Sequence, residues 1–411
     1  MKILTRKIIT ALLATVLALS LISCGKSASG NEAVSNDNIE NAEIKKEEAQ
    51  AGETVPEESA SSESDEAEAD ETSQSAGKNG DIYVLCTSDV HCGVNQGFGY
   101  AGLVQVREDL ENEGYDTFLI DNGDAIQGDT IGTLSEGETI IELMNKVGYD
   151  MAVPGNHEFD YGMDKFLELA DQAEFPYISC NFNYKGELVF KPYLMKEIAG
   201  KKIAFVGIST PQTLVSSSPA SFKDENGEYV YGFCQDDTGE ALYEAVQKAV
   251  DSARAEGADY VYACGHLGNE AEAKPWTYAD VISHTNGIDI FFDGHSHDTD
   301  QIVMKNKDGA EVTRSAMGTK MHCIAYSHIS ADEGIAETNI WSWPNEDSAP
   351  VLLNIQNDIR DAVDAAEKQV EEDTKTVYGK TDVDLVIFDP VEKDSSGNPI
   401  RIVRRMETNL G

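Results

Sequence analysis

Residues 151–160 read Met151-Ala152-Val153-Pro154-Gly155-Asn156-His157-Glu158-Phe159-Asp160. Met151 to Val153 is a short apolar run of strand type, and it ends in a loop carrying an amide, an imidazole and two carboxylates. The same arrangement recurs on both sides. Upstream, Ile82-Tyr83-Val84-Leu85-Cys86 leads to Asp89-Val90-His91, and Thr117-Phe118-Leu119-Ile120 leads to Gly123-Asp124. Downstream, Tyr260-Val261-Tyr262-Ala263 leads to Gly265-His266, and Ile288-Asp289-Ile290-Phe291-Phe292 leads to Gly294-His295-Ser296-His297. Loops that follow strand C-termini are where α/β folds assemble their sites. One D-x-H or one histidine says little, since a lone histidine is usually a hydrogen-bonded structural residue. Here five of only eight histidines fall in such loops, each within three residues of Gly or in a D-x-H context, which chance does not explain.

Helical periodicity fills the intervals. Leu103, Val104, Val106 and Leu110 mark a helix over 101–113; Ile140, Ile141, Leu143, Met144 and Val147 mark another; Phe166, Leu167 and Leu169 a third. Tyr177 to Cys180 is expected as a strand, followed by a hairpin whose second strand is Lys202 to Ile208, then a helix over 239–255. Between 300 and 343 only short strand-like pieces are expected. Ile355, Ile359, Val363, Ala366 and Val370 predict a helix over 349–376. Strands alternating with helices predict an α/β body of buried mixed sheets with helices outside. There is no internal repeat.

The chain has 411 residues, with 31 Lys+Arg against 74 Asp+Glu and a formal charge of −43. Such acidity excludes a nucleic-acid polymer as partner and gives no attraction to anionic lipid headgroups. Composition excludes collagen-like, disulfide-dense and polytopic membrane classes. The charge is uneven. Lys2, Arg6 and Lys7 precede an uncharged run from Ile8 to Ile22, then Ser23-Cys24-Gly25. Fifteen apolar or small residues fall short of the roughly 20 that span a bilayer as a helix, but suit an export signal. Leu21-Ile22-Ser23-Cys24 resembles a bacterial lipobox, which implies a signal peptide over 1–24, lipidation of Cys24, and a mature protein outside the cytoplasm, anchored to the cell membrane at the surface or in the periplasm. Residues 25–80 hold 15 acids against 4 bases, and Glu57 to Glu71 lacks any aromatic residue, so this segment is expected to be a disordered tether. The six remaining cysteines (Cys86, Cys92, Cys180, Cys234, Cys264 and Cys323) lack framework spacing and are expected as free thiols.

The series D-V-H, G-D, G-N-H-E-F-D, G-H and G-H-S-H resembles the signature of the calcineurin-like metallophosphoesterases, in the branch of 5′-nucleotidases and 2′,3′-cyclic-nucleotide phosphodiesterases. The match covers about 81–345, and Gly155 to Asp160 is its branch-specific part. The resemblance implies a four-layer αββα sandwich of two mixed sheets. It also implies two divalent cations: Asp89, His91 and His297 on one, Asn156, His266 and His295 on the other, and Asp124 bridging. Four imidazoles with hard oxygens suit Zn or Mn, then Fe or Co, rather than a Ca²⁺ or pure Mg²⁺ cage. Two cations about 3.5–4 Å apart can grip a phosphate from both sides, and a bound water then reaches a pKa near 7 and attacks phosphorus in line. His157 is implied as the catalytic imidazole at the leaving-group or phosphate oxygen, with Asp160 holding its tautomer; Asp160 could alternatively cap the following helix. Glu158 is expected to support its loop. His284, His322 and His328 are expected to be structural, and Trp276, Trp341 and Trp343 to pack.

The implied activity is an exported, 5′-nucleotidase-like phosphoric ester hydrolase acting on nucleotides or other small phosphate esters, as a monomer. Hydrolysis of 2′,3′-cyclic nucleotides or UDP-sugars is an alternative, as is a non-catalytic surface-binding lipoprotein. In this family a second, nucleotide-binding domain follows. Residues 346–400 are expected as a linker helix and connector, and 401–411 as the cut-off start of that domain.

Overall fold

The computed structural model describes residues 80–343, 355–376, 388–393 and 399–401. The expected export signal, Cys24, the tether up to residue 79 and the segment 402–411 lie outside the described residues. In chain order the elements are β1 (Ile82–Thr87), α1 (Gly99–Asn112), β2 (Asp116–Asp121), α2 (Thr130–Ser135), α3 (Glu138–Val147), β3 (Met151–Ala152), α4 (Met163–Gln172), β4 (Asn183–Tyr184), β5 (Glu187–Leu188), β6 (Tyr193–Ile198) and β7 (Lys201–Ser209). There follow α5 (Thr213–Ser216), β8 (Tyr231–Gly232), α6 (Glu240–Ala255), β9 (Tyr260–His266), α7 (Tyr278–His284), β10 (Ile290–Asp293), β11 (Thr299–Lys305), β12 (Glu311–Met317), β13 (Cys323–Ser330), β14 (Gly334–Ser342), α8 (Asp358–Thr374), β15 (Phe388–Lys393) and β16 (Pro399–Arg401).

Two mixed sheets carry the body, one ordered β14-β13-β1-β2-β3 and one ordered β11-β12-β10-β9-β7-β6. β1, β2 and β3 are parallel, with β13 antiparallel on β1. In the second sheet β7, β9, β10 and β12 are parallel, with antiparallel β6 and β11 on the edges. The period-2 alternation of side chains divides each strand between two cores. Ile82, Val84 and Cys86 of β1 face a central core with Ile203 and Phe205 of β7, Tyr262 and Cys264 of β9, and Ile290 and Phe292 of β10. Tyr83 and Leu85 face outward to α1, α3, α4 and α8. Ala204, Val206 and Ile208 face the opposite side, toward α6 and α7. Helix, sheet, sheet, helix is the four-layer sandwich expected. Burial on both faces explains why these strands read as unbroken apolar runs.

Three expectations differ in detail. Tyr177 to Cys180 makes only isolated bridges, because Tyr177 pairs with Ala152 of the first sheet while the Cys180 N–H already donates to Gly207 O of the second. The segment crosses between sheets and completes no ladder. Residues 299–342 form four strands of seven to nine residues rather than short pieces. The last helix begins at Asp358, not 349, because Asn357 caps it, accepting the Arg360 N–H at 2.9 Å. Ile355 lies before its first turn. Val363 is fully buried, so this helix is seated on the outer core of the first sheet. The six cysteines are free thiols. Among the described residues no helix is long and apolar enough to cross a membrane.

Candidate metal centre

The parallel strands of both sheets deliver their C-terminal loops to one place. Register continues past β1 and β2: the N–H groups of Asp89, His91 and Cys92 donate to Gly123, Asp124 and Ala125 carbonyls at 2.9, 2.9 and 3.0 Å. The loops bend sharply. Asp89, His91, Asp124, His295 and His297 all take positive φ, between 46° and 82°. A side chain in that region costs about 1–3 kcal/mol and persists only where its surroundings over-determine it. Five of the seven residues expected to be ligands are held this way. Glycines permit the close approach. A Cβ on Gly155 would lie 2.3 Å from Asp124 Oδ1, and one on Gly294 would lie 2.0 Å from Ser88 Oγ.

Asp89, buried, accepts from Ser88 Oγ at 2.6 Å and from the His295 N–H at 3.1 Å. Its Oδ1 lies 3.4 Å from His297 Nε2 and 3.9 Å from His266 Nε2. Asp124 Oδ2 lies 3.1 Å from His266 Nε2 and 3.8 Å from His91 Nε2. Ligand atoms of Asp89, His91 and His297 lie within 4.8 Å of one another, as do those of Asp124, His266 and His295, and those of His91, Asp124 and His157. Each group could hold an ion. The third also brings the His157 ring within reach. Asn156 Oδ1, on the residue before His157, is buried without a hydrogen-bond partner, and so is His266 Nε2, whose approach to Asp124 lacks hydrogen-bond geometry. Two buried polar atoms left unpaired cost about 1–3 kcal/mol each. A divalent cation would satisfy both, so the donor set fits one.

Neighbours fix which ring nitrogen faces inward. A carbonyl only accepts, so His91 Nδ1 donates to Gln127 O at 2.9 Å and His266 Nδ1 donates to Asn122 O at 2.8 Å, turning both Nε2 atoms to the site. His295 Nε2 donates to Gln212 Oε1 at 2.8 Å, leaving Nδ1 for the site. Burial pushes His295 down to about 4 and lowers His91. Burial would raise both central carboxyls, but the His266 charge outweighs it and holds Asp89 and Asp124 below the usual range. His266, despite burial, is pushed up to about 10 by Asp124 and Asp89.

His157 Nδ1 is 2.7 Å from Asp160 Oδ2. Asp160 does not N-cap α4; Gly162 occupies that place. Ser217 Oγ donates to Asn156 O and lies 3.4 Å from Asp160 Oδ1. Glu158 is buried and accepts the N–H groups of Asp124, Ala125 and Gly155 at 2.8, 2.9 and 2.6 Å, stitching two loops together as expected. His284 stacks on Tyr243 and His328 on Tyr83, away from the site. Trp341 stacks on Tyr326, Trp343 meets Phe98 edge-on, and the Trp276 indole N–H donates to Asp236 O. Gln212, Asn122, Gln127 and Ser217 escaped the sequence reading. Gln212 carries a signal, because it follows β7, a long parallel strand of the second sheet beside β9, in the same kind of strand-end loop as the ligands. The carbonyls of Asn122 and Gln127 leave no side-chain signal.

The calcineurin-like phosphoesterase profile matches residues 82–299. The chain belongs to that family. The trifunctional nucleotide phosphoesterase protein YfkN of Bacillus subtilis is 27% identical over 260 residues, 54% of this chain and 17% of its own length. A 2′,3′-cyclic-nucleotide 2′-phosphodiesterase/3′-nucleotidase of Yersinia enterocolitica is 28% identical over 59% of this chain and 39% of its own. A 5′-nucleotidase of Vibrio parahaemolyticus is 30% identical over 47% and 34%. The chain thus spans well under half the length of these relatives. A crystal structure of the YfkN phosphoesterase aligns with TM-score 0.57 at 21% identity, over 72% of this chain and 99% of that one. The 5′-nucleotidase precursor of Thermus thermophilus aligns with TM-score 0.58 at 20% identity, over 74% and 62%. These two structures share the fold of this metallophosphoesterase.

Proposed function

We propose that this chain is an exported, lipid-anchored phosphoesterase of the 5′-nucleotidase type, with its site in the body 81–345 between the two sheets. In this assignment Asp89, His91 and His297 hold one divalent cation, Asn156, His266 and His295 hold a second, and Asp124 is shared. Zinc or manganese suits the donors best, then iron or cobalt. The observation that carries the proposal is the position of Asp124 Oδ2, 3.1 Å from His266 Nε2 and 3.8 Å from His91 Nε2, within reach of both groups. Bound there, two cations would polarise a phosphoryl oxygen and lower the pKa of attacking water.

The protein's own residues do the rest. Asp124 and Asp89 present carboxylates already ionised, and His295 presents a neutral imidazole. To hold an ion, His266 would have to release its Nε2 proton. His157 holds a proton near neutral pH: burial would remove it, but the Asp160 hydrogen bond and the Asp124, Asp160 and Glu158 charges lift the ring to about 9. It is the group that donates to the leaving oxygen, with Asp160 and Ser217 fixing its orientation. Relatives named as 5′-nucleotidases and as cyclic-nucleotide phosphodiesterases support nucleotide esters as substrates, and the basic, apolar and Cys24 sequence supports export and lipidation.

Turnover by the full chain, measured with AMP, 2′,3′-cyclic AMP and p-nitrophenyl phosphate alongside metal content, tests the assignment. Two ions per chain are expected, with kcat falling by about 100-fold in His157→Ala at unchanged metal content. Preference for AMP supports the 5′-nucleotidase reading, and preference for the cyclic ester favours the phosphodiesterase. A metal-loaded chain as inert as its His157→Ala variant on all three substrates would leave only a binding role.

A further inference from the structure

Behind the histidine loops, β12 places one fully buried guanidinium, that of Arg314, 4.0 Å from the centre of the Tyr278 ring. Its Nη2 donates to Asp293 Oδ2 at 2.9 Å and lies 3.7 Å from Asp298 Oδ2, while Nη1 donates to Asp300. Asp293 and Asp298 immediately precede and follow Gly294-His295-Ser296-His297. One side chain therefore grips both ends of a four-residue loop. Asp293 reaches further, because its Oδ1 accepts the N–H groups of Leu267 and Gly268 at 3.1 and 3.2 Å, the two residues after His266. Asp298 accepts from Ser296 Oγ at 2.9 Å and from Asn269 Nδ2 at 2.6 Å.

We propose that Arg314 is a positioning residue of the metal centre: by bracketing Asp293 and Asp298 it sets the spacing of His266, His295 and His297 through those two carboxylates. The proposal rests on the metal assignment above. Stability alone is a poor reason for the arrangement. A buried ion pair is weak evidence of stabilisation, and Arg314 Nε is buried with no hydrogen-bond partner. The loop, by contrast, needs a clamp, since His295 and His297 hold φ of 82° and 55°. A planar guanidinium aims its donors at several carboxylates in fixed directions, which a single ammonium cannot do.

Competition with a chromogenic chelator for zinc tests this in the full chain, comparing wild type, Asp298→Ala and Arg314→Lys, with the melting temperature of each metal-free protein measured alongside. The Asp298 side chain is 34% exposed, so its truncation preserves folding. Asp298→Ala is expected to weaken zinc binding about tenfold and Arg314→Lys up to about 100-fold. The metal-free melting temperature of Asp298→Ala should stay within about 2 °C of wild type. A merely structural role would lower that temperature and leave affinity alone. If wild type binds zinc and Asp298→Ala binds it equally well, the proposal is overturned, whether or not Arg314→Lys folds. A wild-type chain that takes up no zinc overturns the metal assignment, and this proposal with it.

Discussion

Glu158 and His157 are neighbours with opposite duties. Glu158 turns inward, and burial followed by the Asp124 charge pushes its carboxyl up to about 7 while it gathers three backbone N–H groups. His157 turns outward, its side chain 26% exposed, where a phosphate ester could reach it. Its pairing with Asp160 has a thermodynamic signature. The folded imidazole is lifted from an ordinary value of 6.5 to about 9, so the pair's contribution to stability is fully present below pH 6.5 and drains away as pH rises through 9. In chelator-treated protein, Asp160→Asn should therefore lower the melting temperature most at pH 6, with the gap to wild type closing toward pH 9.5. A gap that widens with pH would show the imidazole to be neutral in the fold.

At the scale of elements, the sandwich depends on the layer between its sheets. Phe118 of β2 stacks on Phe205 of β7 with ring centres 4.3 Å apart and planes 7° from parallel. Phe118→Ala should lower unfolding free energy by about 3–5 kcal/mol in urea titration, and Phe118→Leu by less than half of that. A loss below about 1 kcal/mol would mean that other contacts join the sheets. These inner strands were legible in the sequence because burial on both faces leaves only apolar residues, and their ends were legible because Asp, Asn and His beside Gly stand out against such runs. β11 was not, because none of its residues is buried and its exposed Thr299-Asp300-Gln301 opening looks like a loop. Tyr177 to Cys180 misled for the opposite reason: its composition suits a strand, but it divides its pairing between two sheets. The hydrogen-bond partners of His91 and His266 are main-chain oxygens, and no residue type announces a carbonyl.

For the whole molecule, the dominant quantity is a charge of −43. Anionic esters approaching such a surface are repelled beyond the immediate reach of any bound cations. Added salt screens this repulsion, so kcat/KM for p-nitrophenyl phosphate should rise about two- to fivefold between about 20 and 200 mM KCl. A fall over that range would mean that the local positive field of the site governs encounter. The seven donors also have a temporal consequence. Asp89 and His295, joined by a hydrogen bond, are 206 positions apart in the chain and stand at the ends of strands from different sheets. No shorter segment of the polypeptide holds both. The centre they help to build can be completed only after distant halves of the sequence have met, so an emerging chain must close its architecture before it can acquire its chemistry.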